Sequence, residues 1–331
     1  MDRIFADMHS HFLINGHYWR RDFFGHFQPP KRYNPFNNYM NYDRIKQGGL
    51  NVITFTVYVP WSPLVWVSRA DVAMSMIRTF NTIIERSQGR MEKAETVKDI
   101  RRIVNNGKIA AVLAAEGGHI LDGNLANLTV FRQAGMRMLT LTHFIPNALA
   151  DASYGLKRPH DGLSELGVEA VREMNRLGMV VDISHCSDQA AMQAISLSKA
   201  PVIASHSGVR ALCESPRNIP DEQLRAIADK QGLVGIILWP PLLKRHRLRV
   251  SLETWADHVV YVAKKIGPEH VGIGTDMDGF TWPPVGFKDA SDFRLIPEVL
   301  KKRGFSEHET DLVLGENYLR VLKAAEEVAE K

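Results

Sequence analysis

Short runs of Val, Ile, Leu and Ala recur along the chain, each closed by a polar turn and followed by a longer stretch whose apolar residues return with helical spacing. Runs that are apolar throughout, without alternation, are the pattern of strands buried on both faces, and the periodic stretches between them suit the crossover helices of a parallel sheet. Strands are expected over residues 4–8, 52–57, 110–115, 138–142, 180–184, 202–205, 233–238 and 271–275. Eight is the number that a closed α/β barrel needs. Helices are expected over 70–87, 96–105, 124–133, 162–177, 188–198, 220–230, 252–265 and 291–302, with a last one from Glu316 onward covering the bottom or side. Ser187 before Asp188, and Pro220 before Asp221 and Glu222, supply N-terminal start signals.

Two connections are long and aromatic, 12–40 after the first strand and 60–68 after the second. Both follow strands, which places them on the barrel's C-terminal face, where chemistry sits in such folds. Loops of this length serve as ordinary packed connectors or as lids and binding loops. Their Trp19, Phe23, Phe24, Trp61 and Trp66 suit either the wall of a pocket or a homodimer contact. No repeat, low-complexity segment or linker divides the chain, so residues 1–331 are read as a single barrel domain with long insertions on its C-terminal face.

Composition narrows the partners. A net charge of +4 over 331 residues, with basic residues dispersed, lacks the continuous basic stripe of a nucleic-acid binder. The basic run from Lys244 to Arg249 reads as solvated surface or as a funnel for an anionic substrate. No apolar run is long enough to cross a bilayer, and the first strand begins too early to leave room for a signal peptide, so no membrane partner and a cytoplasmic location are expected. Cys186 and Cys213 read as small buried thiols and not as a disulfide.

Candidate chemistry gathers where the strands end. His9 and His11 alternate along the first strand and so face one side, where both imidazoles can grip one ion. Glu116 closes an apolar strand with two glycines behind it, and a carboxylate there is costly to bury without a cation or donors. His185 and His206 repeat one arrangement, a β-run ending in Ser-His, and imidazole is a common zinc ligand. His143 follows the fourth run, and Asp276 ends the eighth, where a carboxylate can carry a proton to a leaving group. Asp278, before Gly279, reads as a turn residue.

Taken in order, the blocks A-E-G-G-H, L-T-H, G-L-S-E-L-G, N-R-L-G-M-V-V-D-I-S-H, A-P-V-I-A-S-H-S, R-N-I-P-D and G-I-G-T-D-M-D-G resemble the membrane dipeptidase (renal dipeptidase) family of the amidohydrolase superfamily, from Asp7 to the segment ending at Val321. The resemblance implies a TIM-like (β/α)8 barrel holding two Zn2+ ions and hydrolysing dipeptides. It implies that His9 is a ligand of the first metal, Glu116 the bridging carboxylate, and His185 and His206 ligands of the second. It further implies that His143 steadies the tetrahedral intermediate, Arg217 receives the substrate carboxylate, and Asp276 carries the proton near the substrate amine. Two departures stand out. The family usually shows H-x-D where this chain has His9-x-His11, a neutral ligand for an anionic one, which leaves one divalent metal or two compatible with the site. The family's Asn-Phe-Tyr segment after the seventh strand is replaced by Ile237-Leu238-Trp239, so Trp239 meets the substrate with an indole N–H and no phenol.

Three functions follow: a metal-dependent hydrolase of a dipeptide or dipeptide-like small molecule, the same machinery acting on another amide, a lactone or a specialised-metabolite peptide, and a catalytically silent barrel. Ligand-capable residues at every required position favour the first two.

Overall fold

The computed structural model describes residues 3–31, 37–60, 67–245, 250–280 and 282–329. Its sheet contains β1 (Ala6–Ser10), β2 (Val52–Tyr58), β3 (Met91–Lys93), β4 (Ile109–Glu116), β5 (Met136–Thr140), β6 (Val180–Asp182), β7 (Ile203–Ser207), β8 (Leu233–Ile236) and β9 (Val271–Ile273). All pair in parallel in the order β1-β2-β4-β5-β6-β7-β8-β9, and β3 adds to the start of β4. The result is a nearly closed TIM-like barrel of eight parallel strands alternating with helices. The seam between first and last strands is closed beyond β9: the His11 N–H donates to the Met277 carbonyl at 2.8 Å, and the Asp276 N–H to the His9 carbonyl at 3.0 Å.

Strand alternation explains the two apolar layers. On β2, Ile53, Phe55 and Val57 pack outward with Ile77 and Phe80 of the helix Arg69–Arg86. Val52 belongs to a second cluster with Met8, Val112, Met138, Val180 and Leu233. That cluster is covered by Tyr318, Leu319 and Leu322 of the last helix, Asn317–Val328, and the Tyr318 hydroxyl lies 3.0 Å from Thr54 Oγ1. Each such fully buried Leu, Ile or Val contributes about 1.5–3 kcal/mol.

Boundaries move for local reasons. The helix expected from residue 162 starts at Glu165, because the Ser164 hydroxyl caps it by accepting from the Gly167 N–H. The one expected over 291–302 opens as a 3-10 segment, Ala290–Leu295, and becomes α-helical only at Ile296, where Pro297 suits a first turn. Elements outside the expected set include β3, whose Met-Glu-Lys carries little strand signal, and the helices Phe12–Tyr18, Tyr42–Gly48, Pro240–Leu243 and Glu307–Asp311.

The aromatic connections divide. Phe23 is core, its ring 4.6 Å from Phe12 and 5.4 Å from Phe55. Phe24 lies under the Arg90 guanidinium at 4.6 Å, and Trp19 is exposed. Trp61 and Trp66, and residues 246–249 of the basic run, lie outside the described residues. Both cysteines are free and buried. Among the described residues, no helix is long and apolar enough to cross a membrane.

Close backbone approach inside the barrel, between β7 and the segment after β9, generates one test. A Cβ on Gly274 would lie 1.7 Å from the Ser205 carbonyl oxygen. Gly274→Ala is expected to lower stability by about 3 kcal/mol, the upper end of overpacking costs, in urea unfolding; an unchanged midpoint would show that the two strands can separate.

Candidate functional site

The barrel brings seven of the expected residues to one place. Glu116 ends β4; His206 lies within β7; His9 and His11 come from β1 and the turn after it; and His143, His185 and Asp276 lie just beyond β5, β6 and β9. Around the Glu116 carboxylate, Nε2 of His185 lies 3.0 Å and of His206 3.1 Å from Oε1, with His9 at 3.7 Å. Nε2 of His11 lies 3.3 Å and of His143 3.5 Å from Oε2. His9 pairs with His11 and His185 with His206, each pair 3.0 Å apart through Nε2, and Asp276 Oδ1 is 3.1 Å from His11 Nε2.

Two of these side chains stand on left-handed backbone, His185 at φ 68° and Asp276 at φ 61°. Non-glycine residues held there cost about 1–2 kcal/mol each and collect where geometry is demanded. Asp278 also has positive φ, 65°, consistent with a turn, and its side chain is tied down as well. Its Oδ1 accepts the Tyr39 N–H at 2.6 Å, which fastens the end of the long first connection to the barrel mouth.

Electrostatics favour a cation between these groups. Burial, followed by the cationic groups around them, holds His9, His185 and His206 well below the ordinary histidine range, and lowers His143 to about 2. Burial opposes charge on His11 too, but hydrogen bonds to Asp276 and Glu116 prevail and push it up to about 10. Glu116 is raised, chiefly by burial. Glu116 Oε1 accepts no hydrogen bond among the described residues although two imidazole nitrogens stand within 3.1 Å of it. Neutral imidazole lone pairs aimed at a carboxylate repel it, and a divalent ion between them turns repulsion into coordination. Three overlapping groups meet the proximity expected of ligands: His9, His11 and Glu116; Glu116, His143 and His185; and His9, Asp182 and His206. The donor set fits a metal.

His11, Glu116, His143, His185, His206 and Asp276 floor a cleft of about 150 Å³ with Ile14, Phe144, Ile237, Trp239 and Leu242 as apolar walls. It adjoins a cavity of about 560 Å³ that shares Tyr58, His143 and Phe144. Trp239 lines the cleft at the start of the short helix Pro240–Leu243. Arg217 also lines it, but its fork is partly engaged: Nη1 donates to Ser207 Oγ and Nη2 to the His206 carbonyl, both at 2.6 Å, leaving the buried Nε without a partner among the described residues. Sequence reasoning passed over Tyr58, the last residue of β2, whose ring lies 4.6 Å from His143 and 5.9 Å from His11. Its signal was the one that marked Glu116, a polar group ending an apolar strand.

A parallel barrel with imidazoles and carboxylates crowded at the strands' C-terminal ends is the architecture of metal-dependent hydrolases. The chain belongs to the membrane dipeptidase family (peptidase family M19), whose profile matches residues 10–331. It is 34% identical over 313 residues to the dipeptidase tcpJ of Claviceps purpurea (strain 20.1), covering 92% of this chain and 74% of that one. Its fold is similar to that of an amidohydrolase from Pseudomonas aeruginosa, with a TM-score of 0.82, 26% identity and coverage of 98% and 97% of the two chains. It is also similar to dipeptidase AC, a metallo peptidase of family M19, with a TM-score of 0.87, 25% identity and coverage of 98% and 99%. The family is divalent-metal dependent.

Glu116→Gln removes the charge toward which five imidazoles converge. Metal retention through gel filtration, read by elemental analysis, is expected to weaken at least about tenfold, the effect that loss of even an outer ligand partner can have. Full retention would remove Glu116 from the metal centre.

Proposed function

We propose that this metal-dependent hydrolase cleaves the amide bond of a dipeptide with two zinc ions, which Glu116 together with His9, His11, His185 and His206 would hold. The whole chain works as one barrel domain. The observation that carries this reading is the buried Glu116 oxygen left without a hydrogen bond among the described residues while neutral imidazoles point at it. Divalent ions in such a site supply Lewis-acid polarisation and a nucleophile available at neutral pH.

The chain's own groups position and move charge around that chemistry. His143 stays neutral through burial and offers an N–H to the developing oxyanion without ionising. Asp276 stands at the cleft beside the same His11 nitrogen that Glu116 approaches, placed to hold a proton and pass it to the leaving amine. Arg217 keeps its orientation through Ser207 and the His206 carbonyl, and its remaining N–H groups suit a substrate carboxylate. Trp239 packs against the substrate from the wall where the family usually places a tyrosine. Because the metal cleft is small, a dipeptide's side chain extends past Tyr58 and Phe144 into the adjoining cavity.

The test joins metal stoichiometry to release of free amino acids from a panel of L,L and L,D dipeptides. Two ions per chain with dipeptide cleavage is the expected result; bound metal with no cleavage across the panel would overturn the dipeptide reading. Asp276→Asn is expected to retain the wild-type metal content and lose about 10²–10⁴-fold in turnover, the usual contribution of a positioned acid or base. Unchanged turnover would remove Asp276 from proton transfer.

A further inference from the structure

Beneath the ligand nitrogens lies a hydrogen-bond relay with a single hydroxyl at its centre. Ser205 Oγ lies 2.5 Å from Asp182 Oδ2, 2.8 Å from His206 Nδ1 and 3.2 Å from His9 Nδ1. Asp182 is buried, and its four contacts are all donors to it: the Ser184 and Ser205 N–H groups to Oδ1 at 2.9 Å each, and the Thr140 and Ser205 hydroxyls to Oδ2 at 2.5 Å each. A serine hydroxyl has one proton and two lone pairs. Asp182 takes the proton, so both imidazoles must donate to Ser205 from Nδ1–H. That fixes the tautomer of each and leaves each Nε2 with a lone pair facing Glu116. The two rings stack, with centroids 3.8 Å apart, and belong to different halves of the site, His9 beside His11 and His206 beside His185.

We propose that Ser205, held by Asp182, is a positioning residue that sets the tautomer and aim of one histidine in each half of the centre at once, so that the two metal positions are prepared together. The inference rests on the reading of His9 and His206 as metal ligands. The repeated Ser-His ending does not provide the same device twice: the Ser184 hydroxyl accepts the His206 backbone N–H at 3.1 Å and otherwise meets the His206 carbonyl and the Ser205 hydroxyl. Backbone packing holds Ser205 in place, since its carbonyl lies 1.7 Å from the position of a Cβ on Gly274 and 2.0 Å from one on Gly235.

Asp182→Asn separates the role of charge and proton from that of shape. The amide NH2 cannot face the two backbone N–H donors, so it must face the Thr140 and Ser205 hydroxyls. Ser205 then accepts from residue 182 and turns its own proton toward an imidazole, reversing that ring's tautomer and blocking its Nε2. A shape-preserving change is thereby expected to act through tautomer, as it does where an orienting carboxylate is lost beside a catalytic histidine.

The experiment titrates metal-free wild type, Ser205→Ala, Asp182→Asn and Thr140→Ala with Zn2+ against a chromophoric chelator. It is paired with 15N spectra of the histidine rings and thermal unfolding of the metal-free proteins. Both dissociation constants are expected to rise together by about 10–100-fold in Ser205→Ala, and one of them by as much in Asp182→Asn, the usual effect of removing an outer partner of a ligand. Two Nδ1–H signals should be lost or moved in Ser205→Ala, whereas Thr140→Ala, which leaves the relay intact, should match wild type in both readouts. Wild-type constants or weakening of one site alone in Ser205→Ala, wild-type constants in Asp182→Asn, or an equal loss in Thr140→Ala would overturn the proposal. A wild type that binds no metal would instead overturn the ligand reading on which it rests.

Discussion

The Glu116 carboxylate, buried at the end of a strand whose eight residues are all buried, is the constraint around which the barrel mouth is arranged. Desolvating an ionised carboxylate costs several kcal/mol even after relaxation, and the groups nearest to this one are imidazoles. Four of those are held neutral by burial, so they return no charge of their own. His11 is the exception: between Asp276 and Glu116 it keeps a proton. The proton on His11 and a divalent ion answer the same need, positive charge between carboxylates. The histidine at position 11 therefore sets how charge is distributed beside Glu116.

Barrel closure and site geometry are one problem in this chain. The backbone bonds that seal the seam, His11 to Met277 and Asp276 to His9, run between the residues proposed for metal and proton chemistry. Asp7 reinforces the seam, accepting the Thr275 N–H at 2.9 Å and its hydroxyl at 2.6 Å. Left-handed backbone at Asp276 is tolerated because closure over-determines it. The distance between His11 and Asp276 is consequently set by strand pairing and not by a loop free to adjust, which is how a rigid fold serves chemistry at its rim.

Most of the fold was legible because a parallel barrel writes its strands as unbroken apolar runs, and each expected run contains an observed strand or overlaps one. Strand β3 was not, since three residues with two charges match no strand pattern; it exists because β4 starts before β5 reaches it and leaves an edge to fill. The first long connection was legible as an insertion, but not as the place where Phe23 becomes core, because burial there depends on Phe12 and Phe55 converging from separate elements. The candidate site was legible for residues whose type is unusual at a strand end. It was illegible for Ser205 and Asp182, which are ordinary residues in ordinary strands until the barrel sets them against His9 across the interior.

That last gap has a physical origin. A ligand such as His206 advertises itself by chemistry, whereas the group that orients it is defined by direction, and direction is a property of the closed sheet. In sequence, Ser184 and Ser205 occupy equivalent places before a histidine. In the barrel, His206 stacks on His9, so the hydroxyl beside it reaches two rings, while the Ser184 hydroxyl meets the His206 backbone and the Ser205 hydroxyl. The asymmetry follows from which strand faces β1 across the interior, and with it one serine becomes shared between the two halves of the centre while its counterpart serves the backbone.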